Sequence, residues 1–312
     1  MATTMYIAAS PTKRGGHYLG DVLLEIRLAW EWWRREPADH VILSLHSDGK
    51  ELNFLWDAFI ETVKPTIVWD SFDPSDHKTY WNIFDERRKT RQVDGLHFDI
   101  YKELYLRIDG GARQHALCGL ERGLNKRNIL EYYWFGQESH QPGGVVGFGP
   151  GIIKTPRVQR QPRIFIAPHE KCYGNRVFTL DFWREVVRQL ANHGIPITIN
   201  TQSPDLFIHG KNIECSFEPY QTLVEQLAGH ILVACGNTGI GWAAGAVGVP
   251  VIACESPDMF FWEFSYRRTG LATLVDTIAY PDASWCARRI LDEWNSSVCV
   301  QSSAQCSSLK SL

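Results

Sequence analysis

Apolar residues along this chain fall into short runs that alternate with stretches of helical spacing. Residues 5–9 (Met-Tyr-Ile-Ala-Ala) form the first run and predict a strand. A loop over 10–20 follows, with glycines at 15, 16 and 20. Val22, Leu23, Ile26, Trp30 and Trp33 then recur at helical intervals, which predicts an amphipathic helix over 22–35 opened by Asp21. The run 41–45 predicts a second strand, 54–63 a helix and 66–69 a third strand. Such alternation is the signature of a parallel sheet with crossover helices. From 70 to 137 the pattern is harder to read, although 98–108 and 112–120 have helical spacing.

The segment 141–151, Gln-Pro-Gly-Gly-Val-Val-Gly-Phe-Gly-Pro-Gly, leads into basic and proline-rich residues. It reads as an interdomain linker rather than a surface loop, because a fresh strand–helix alternation begins directly after it. Strands are expected at 163–167, 195–199 and 231–234, and helices at 180–193, 220–228 and 284–294. From Asn295 the chain is rich in serine and glutamine and is expected to fray. The expected layout is an N-terminal domain over 1–145, a linker over 146–160, a C-terminal domain over 161–295 and a flexible tail over 296–312. Two such α/β halves would face a central cleft, and open parallel sheets bind ligands beyond the carboxyl ends of their strands.

The most informative stretch is 233–253. A buried strand ends in the turn Gly236-Asn237-Thr238-Gly239, a short helix of small residues follows, and a second strand begins after Pro250. Several backbone N–H groups should lie free at the start of that helix, where the helix dipole points at the same place. Such a site attracts phosphate. The alanines and glycines behind the turn would let the helix pack close to the sheet. A phosphorylated ligand is therefore expected late in the chain.

Bulk properties narrow the possibilities. Hydrophobic residues make up 44% and charged residues 21% of the 312, as in a soluble globular protein. A net charge of −3 argues against a dedicated nucleic-acid surface. The 12 tryptophans suit a sugar- or base-stacking role, but most should be core residues. None of the eight cysteines forms a C-x-x-C pair, so neither a zinc ribbon nor a redox motif is indicated. Cys235 and Cys254 read as small buried hydrophobes. With no secretory signal and no apolar run of spanning length, a cytoplasmic location is the expectation.

Three segments carry a resemblance. The stretch from Asn237 to Val251, Asn-Thr-Gly-Ile-Gly-Trp-Ala-Ala-Gly-Ala-Val-Gly-Val-Pro-Val, resembles the D-T-G-x-x-H-x-A-x-A-x-G-x-P-x segment of the heptosyltransferase-like glycosyltransferases, family 9. Gly20-Asp21 resembles that family's N-terminal G-D, and 175–187 resembles its K-x-W-P-x-x-x-W segment. The resemblance implies a GT-B fold, with a nucleoside-diphosphate sugar in the C-terminal domain and a glycan or other hydroxyl acceptor in the N-terminal one. It implies an inverting reaction with no metal or other cofactor, and Asp21 as general base. An aspartate at this position most often caps a helix, and one residue can do both. Lys171, Arg176, Gly236, Asn237, Thr238, Gly239, Ile240 and Trp242 are the candidate donor and phosphate contacts, with Arg176 gripping the diphosphate. Glu218 and Glu255, and with them Asp258, are candidates for the nucleoside, ribose or sugar, or else solvent-exposed. Lys13, Arg14, Gly16, His17 and Tyr18 are candidates for the acceptor. His169 follows a strand end and is a weaker candidate for the cleft.

The chain departs from the family pattern at Asn237, where aspartate is usual, and at Trp242, where histidine is usual. Both bear on the sugar and on whether transfer is retained. The competing readings are a nucleotide-sugar epimerase and a non-catalytic sugar-nucleotide-binding protein on the same fold. A nicotinamide oxidoreductase fits poorly, because no G-x-G-x-x-G follows the first strand. A nucleic-acid acceptor is possible on this pattern but not favoured.

Overall fold

The alternation of apolar runs and helices does produce parallel sheets. The structure is a computed structural model that describes residues 4–8, 19–35, 39–46, 50–70, 92–93, 96–97, 149–168, 178–207, 209–255, 266 and 271–309. The chain divides into two compact units, Met1–Lys154 and Thr155–Leu312.

In the first unit, β1 (Thr4–Ala8), α1 (Leu19–Arg35) and β2 (His40–His46) lead through α2 (Lys50–Asn53), a 3-10 turn (Phe54–Trp56) and α3 (Asp57–Val63) to β3 (Thr66–Asp70). The three strands are parallel in the order β1-β2-β3. Helix α1 starts at Leu19, ahead of the expected boundary, so Asp21 lies in its first turn rather than outside it. Its buried face is Leu19, Val22, Leu23, Ile26, Ala29 and Trp30. The apolar spacing produces this face, because residues three and four apart share one side of a helix. Trp30 packs edge-on against Phe59, with ring centroids 5.0 Å apart, and Trp56 meets the same ring at 5.8 Å. The Trp30 indole N–H donates to the Ile152 carbonyl at 2.9 Å, so its one polar atom is satisfied inside the core. These tryptophans are structural. Two short antiparallel strands, β4 (Gln92–Val93) and β5 (Leu96–His97), complete the described part. The helices expected over 98–108 and 112–120 lie outside the described residues.

The second unit runs β6 (Gln161–Ala167), α4 (Leu180–Asn192), β7 (Ile197–Asn200), β8 (Ile213–Ser216), α5 (Tyr220–Ala228), β9 (His230–Gly236), α6 (Gly239–Ala246), β10 (Val251–Cys254), β11 (Leu274–Ile278) and α7 (Ala283–Leu309). Its six strands are all parallel, in the order β11-β10-β9-β6-β7-β8. The chain builds outward from β6 through β7 to β8, returns to pair β9 with the other side of β6, and builds outward again. The reversal falls between β6 and β9, where Ala167 pairs with Cys235. In doubly wound sheets this switch point opens a crevice at the carboxyl ends of the strands, and ligands bind there.

Ile164, Ile166, Ile197, Ile199, Leu232, Ala234 and Ile252 form the sheet side of one core cluster. Phe182, Trp183, Val186, Val187 and Leu190 of α4 and Cys286, Ala287 and Ile290 of α7 cover it. Each large side chain buried here contributes about 1.5–3 kcal/mol relative to exposure. Thr179 caps α4, its hydroxyl accepting from the Phe182 N–H at 3.3 Å. Phe178 and Trp183, aromatic members of the 175–187 segment, are both buried, so this segment's aromatics anchor α4. Helix α7 was expected to end near Trp294 and fray. Instead it runs on to Leu309, and Trp294 and Val298 still pack against the core cluster.

Candidate functional site

Strand β9 is buried along its whole length and delivers Gly236 to the switch point. The chain turns through Asn237 and Thr238 into α6. Thr238 is the N-cap: its backbone is extended, and its hydroxyl accepts from the Ile240 N–H at 3.3 Å. The Thr238 carbonyl also accepts from the Gly241 N–H at 3.2 Å. At the other end, Gly248 takes a left-handed φ of +78°. The Gly248 N–H donates to the Gly245 carbonyl and the Val249 N–H to the Ala244 carbonyl, which closes the helix. The Arg160 guanidinium donates to the Gly248 carbonyl at 2.9 Å. A cation thus sits at the negative end of the α6 dipole, while the positive end points out of the switch point.

Tyr266 holds this turn from behind, and no sequence pattern marked it. The side chain is fully buried. Its hydroxyl accepts from the Thr238 N–H at 2.9 Å. It donates its one proton to either the Thr238 carbonyl at 2.5 Å or the Gly236 carbonyl at 3.2 Å. Burial holds the phenol far above its ordinary pKa, so the proton stays available for donation. The small residues of α6 make the room. A Cβ on Gly241 would collide with the Tyr266 ring and hydroxyl and crowd Cys235, and one on Gly245 would collide with Leu271. The glycines therefore admit side chains from the β10–β11 connection as well as the sheet.

The amide inventory differs from the sequence expectation. The Thr238, Ile240 and Gly241 N–H groups are all used inside the turn. Among the described residues, Gly239 is left as the first-turn amide without an internal partner. Thr238, Gly239 and Ile240 are half-buried and form the accessible rim of the turn, whereas Asn237 and Trp242 are buried. Trp242 packs on Tyr266 at a centroid distance of 4.9 Å, so its indole belongs to the support beneath the turn. The Asn237 side-chain amide donates to Glu255 Oε1 at 2.8 Å, and the Tyr266 backbone N–H donates to the same oxygen at 3.0 Å. Glu255 is wholly buried, which excludes the solvent-exposed alternative for it. Glu218 is half-buried beyond β8, at the sheet edge, and accepts from the Ser216 hydroxyl at 3.2 Å. Asp21 is placed as a backbone position in the first turn of α1, in the other unit. Lys13, Arg14, Gly16, His17, Tyr18, His169, Lys171, Arg176 and Asp258 lie outside the described residues. Among the described residues, no three His, Cys, Asp or Glu side chains could together hold a metal ion. No described helix is long and apolar enough to cross a membrane.

The second unit is a doubly wound α/β fold with a glycine-rich turn at its switch point. No protein-family model and no curated protein sequence matches the chain. Solved structures do. The E. coli ADP-heptose lipopolysaccharide heptosyltransferase II matches with a TM-score of 0.56 at 12% identity, over 97% of this chain and 100% of its own. The E. coli heptosyltransferase WaaC, solved with ADP, matches with a TM-score of 0.55 at 14% identity, over 93% of this chain and 100% of its own. A putative UDP-N-acetylglucosamine 2-epimerase from Listeria monocytogenes matches with a TM-score of 0.52 at 12% identity, over 95% of this chain and 88% of its own. The α/β fold of GT-B type expected from the sequence is the fold this chain shares with them.

Proposed function

We propose that this protein is an inverting, metal-independent glycosyltransferase that moves a sugar from a nucleoside-diphosphate sugar to an acceptor hydroxyl. The observation that carries the reading is the half-buried rim Thr238–Gly239–Ile240, set on the positive end of α6 at the switch point of a heptosyltransferase-like fold. In this reading the diphosphate accepts from the Gly239 N–H and faces the α6 dipole. Lys171 and Arg176 supply the countercharge for the leaving diphosphate. The second unit binds the donor and the first binds the acceptor, with Lys13, Arg14, Gly16, His17 and Tyr18 on the acceptor side and Glu218 toward the nucleoside. Asp21 takes the proton from the acceptor hydroxyl as its oxygen attacks the anomeric carbon. The bond from that carbon to the diphosphate oxygen breaks, and the nucleoside diphosphate departs from the opposite face. A cytoplasmic setting, where nucleotide sugars are at hand, belongs to the same reading.

The test is direct. A panel of nucleoside diphosphates and their sugars should include one that raises the thermal midpoint, and the Asp21→Ala variant should keep that shift. The same variant should lose transfer to any acceptor found for the wild type. Retained transfer in Asp21→Ala would remove the general base. A second reading, a nucleotide-sugar epimerase, draws on the fold shared with the Listeria protein. It predicts turnover of the donor with no acceptor present.

A further inference from the structure

We propose that Tyr266 is a positioning residue for ligand binding at the β9–α6 turn, and that the buried Asn237–Glu255 pair fixes Tyr266 in place. The inference rests on the donor-site reading above and goes beyond it to Tyr266, which no motif marked. The contacts form a closed circuit. The turn meets Glu255 through the Asn237 amide, Glu255 holds the Tyr266 backbone N–H, and the Tyr266 hydroxyl returns to the Thr238 N–H and carbonyl. The circuit joins the carboxyl ends of β9 and β10 to the connection that follows β10. Thr238 precedes Gly239, so the phenol that orients the Thr238 peptide sets where the Gly239 N–H points. The circuit also accounts for asparagine at 237. Glu255 accepts, so its neighbour must donate, and a second carboxylate at 2.8 Å inside the core would repel it.

The experiment measures the affinity of ADP, GDP, UDP and CDP by isothermal titration, at a temperature where each variant is folded. Tyr266→Phe keeps the ring against Gly241 and Trp242 and removes only the hydroxyl. It should bind the preferred diphosphate roughly tenfold more weakly, the scale of one lost hydrogen bond. A purely structural tyrosine would lower the thermal midpoint and leave the affinity of the folded protein unchanged, and that result overturns the proposal. A wild-type protein that binds none of the four overturns the donor-site reading itself, and this proposal with it. Should Tyr266→Phe fail to fold, a second pair of variants decides. Asn237→Asp should weaken binding, and the swap Asn237→Asp/Glu255→Gln should restore it, because one donor again faces one acceptor. Equal loss in the single and the swapped variant overturns the proposal.

Discussion

At Gly241 the missing side chain is occupied by a phenol. The Gly241→Ala change must push Tyr266 out of its place between α6 and Cys235. Overpacking of this kind costs about 1–3 kcal/mol. Thermal denaturation should show a clear drop in midpoint, and an unchanged midpoint would mean the phenol moves freely. His230 supports a separate prediction. Its Nδ1 lies 2.6 Å from the Gln226 carbonyl, which can only accept, so Nδ1 carries the proton and Nε2 accepts from the Thr198 hydroxyl at 3.0 Å. This neutral form is fully bonded, and burial lowers the pKa below its ordinary 6.5. Below pH 6.5 the unfolded chain takes up a proton that the folded chain refuses. The contribution of His230 to stability is therefore full above pH 6.5 and falls as the pH drops toward the folded value. Urea unfolding between pH 7 and pH 5 should show this slope in the wild type and a flatter one in His230→Gln. Equal slopes would place the pH dependence elsewhere. At this scale the sequence exposed Thr238 and Gly239 through local spacing. It could not expose Tyr266, whose hydroxyl finds its partners 28 to 31 residues away with no periodicity between them.

At the scale of elements, α6 is held at both ends: Thr238 caps its start, and Gly248 and Arg160 close its end. Thr238→Ala should cost about 1 kcal/mol, the usual worth of such a cap. Gly248→Ala should also destabilise, because its φ of +78° is strained for any residue with a Cβ. Denaturant midpoints check both. If either variant matches the wild type, the helix is held by packing alone. Most elements were legible because a strand buried on both faces, such as β9 with Ile231, Leu232 and Val233, must be written as a continuous apolar run. The two edge strands of the second sheet were not. β8 reads Ile-Glu-Cys-Ser, and β11 is interrupted by Asp276, which pairs with Arg289 of α7 at 2.8 Å. An edge strand needs fewer apolar positions, so its pattern fades into the loops. The length of α7 was missed for a related reason: among the described side chains beyond Trp294, Val298 is the one that packs on the core.

At the scale of the whole molecule, three short motifs in the right order pointed to a fold that solved heptosyltransferases share at 12–14% identity. Sequence identity that low leaves the fold as the common property. The proposed function requires a nucleoside diphosphate on the Gly239 amide. Gly239→Pro tests it cleanly. Proline is well accommodated at the first position of a helix, and the extended backbone of Thr238 is what a residue before proline requires. The change removes one N–H and leaves the helix start intact. Thermal shift of the wild type and Gly239→Pro should be measured against a panel of nucleoside diphosphates and their sugars. A ligand at 100 times its dissociation constant stabilises by about 2.7 kcal/mol, enough to read as a shift of several degrees. Such a shift is expected in the wild type for one nucleoside class, with near loss of it in Gly239→Pro. No shift with any nucleotide, or the same shift in both proteins, would contradict it.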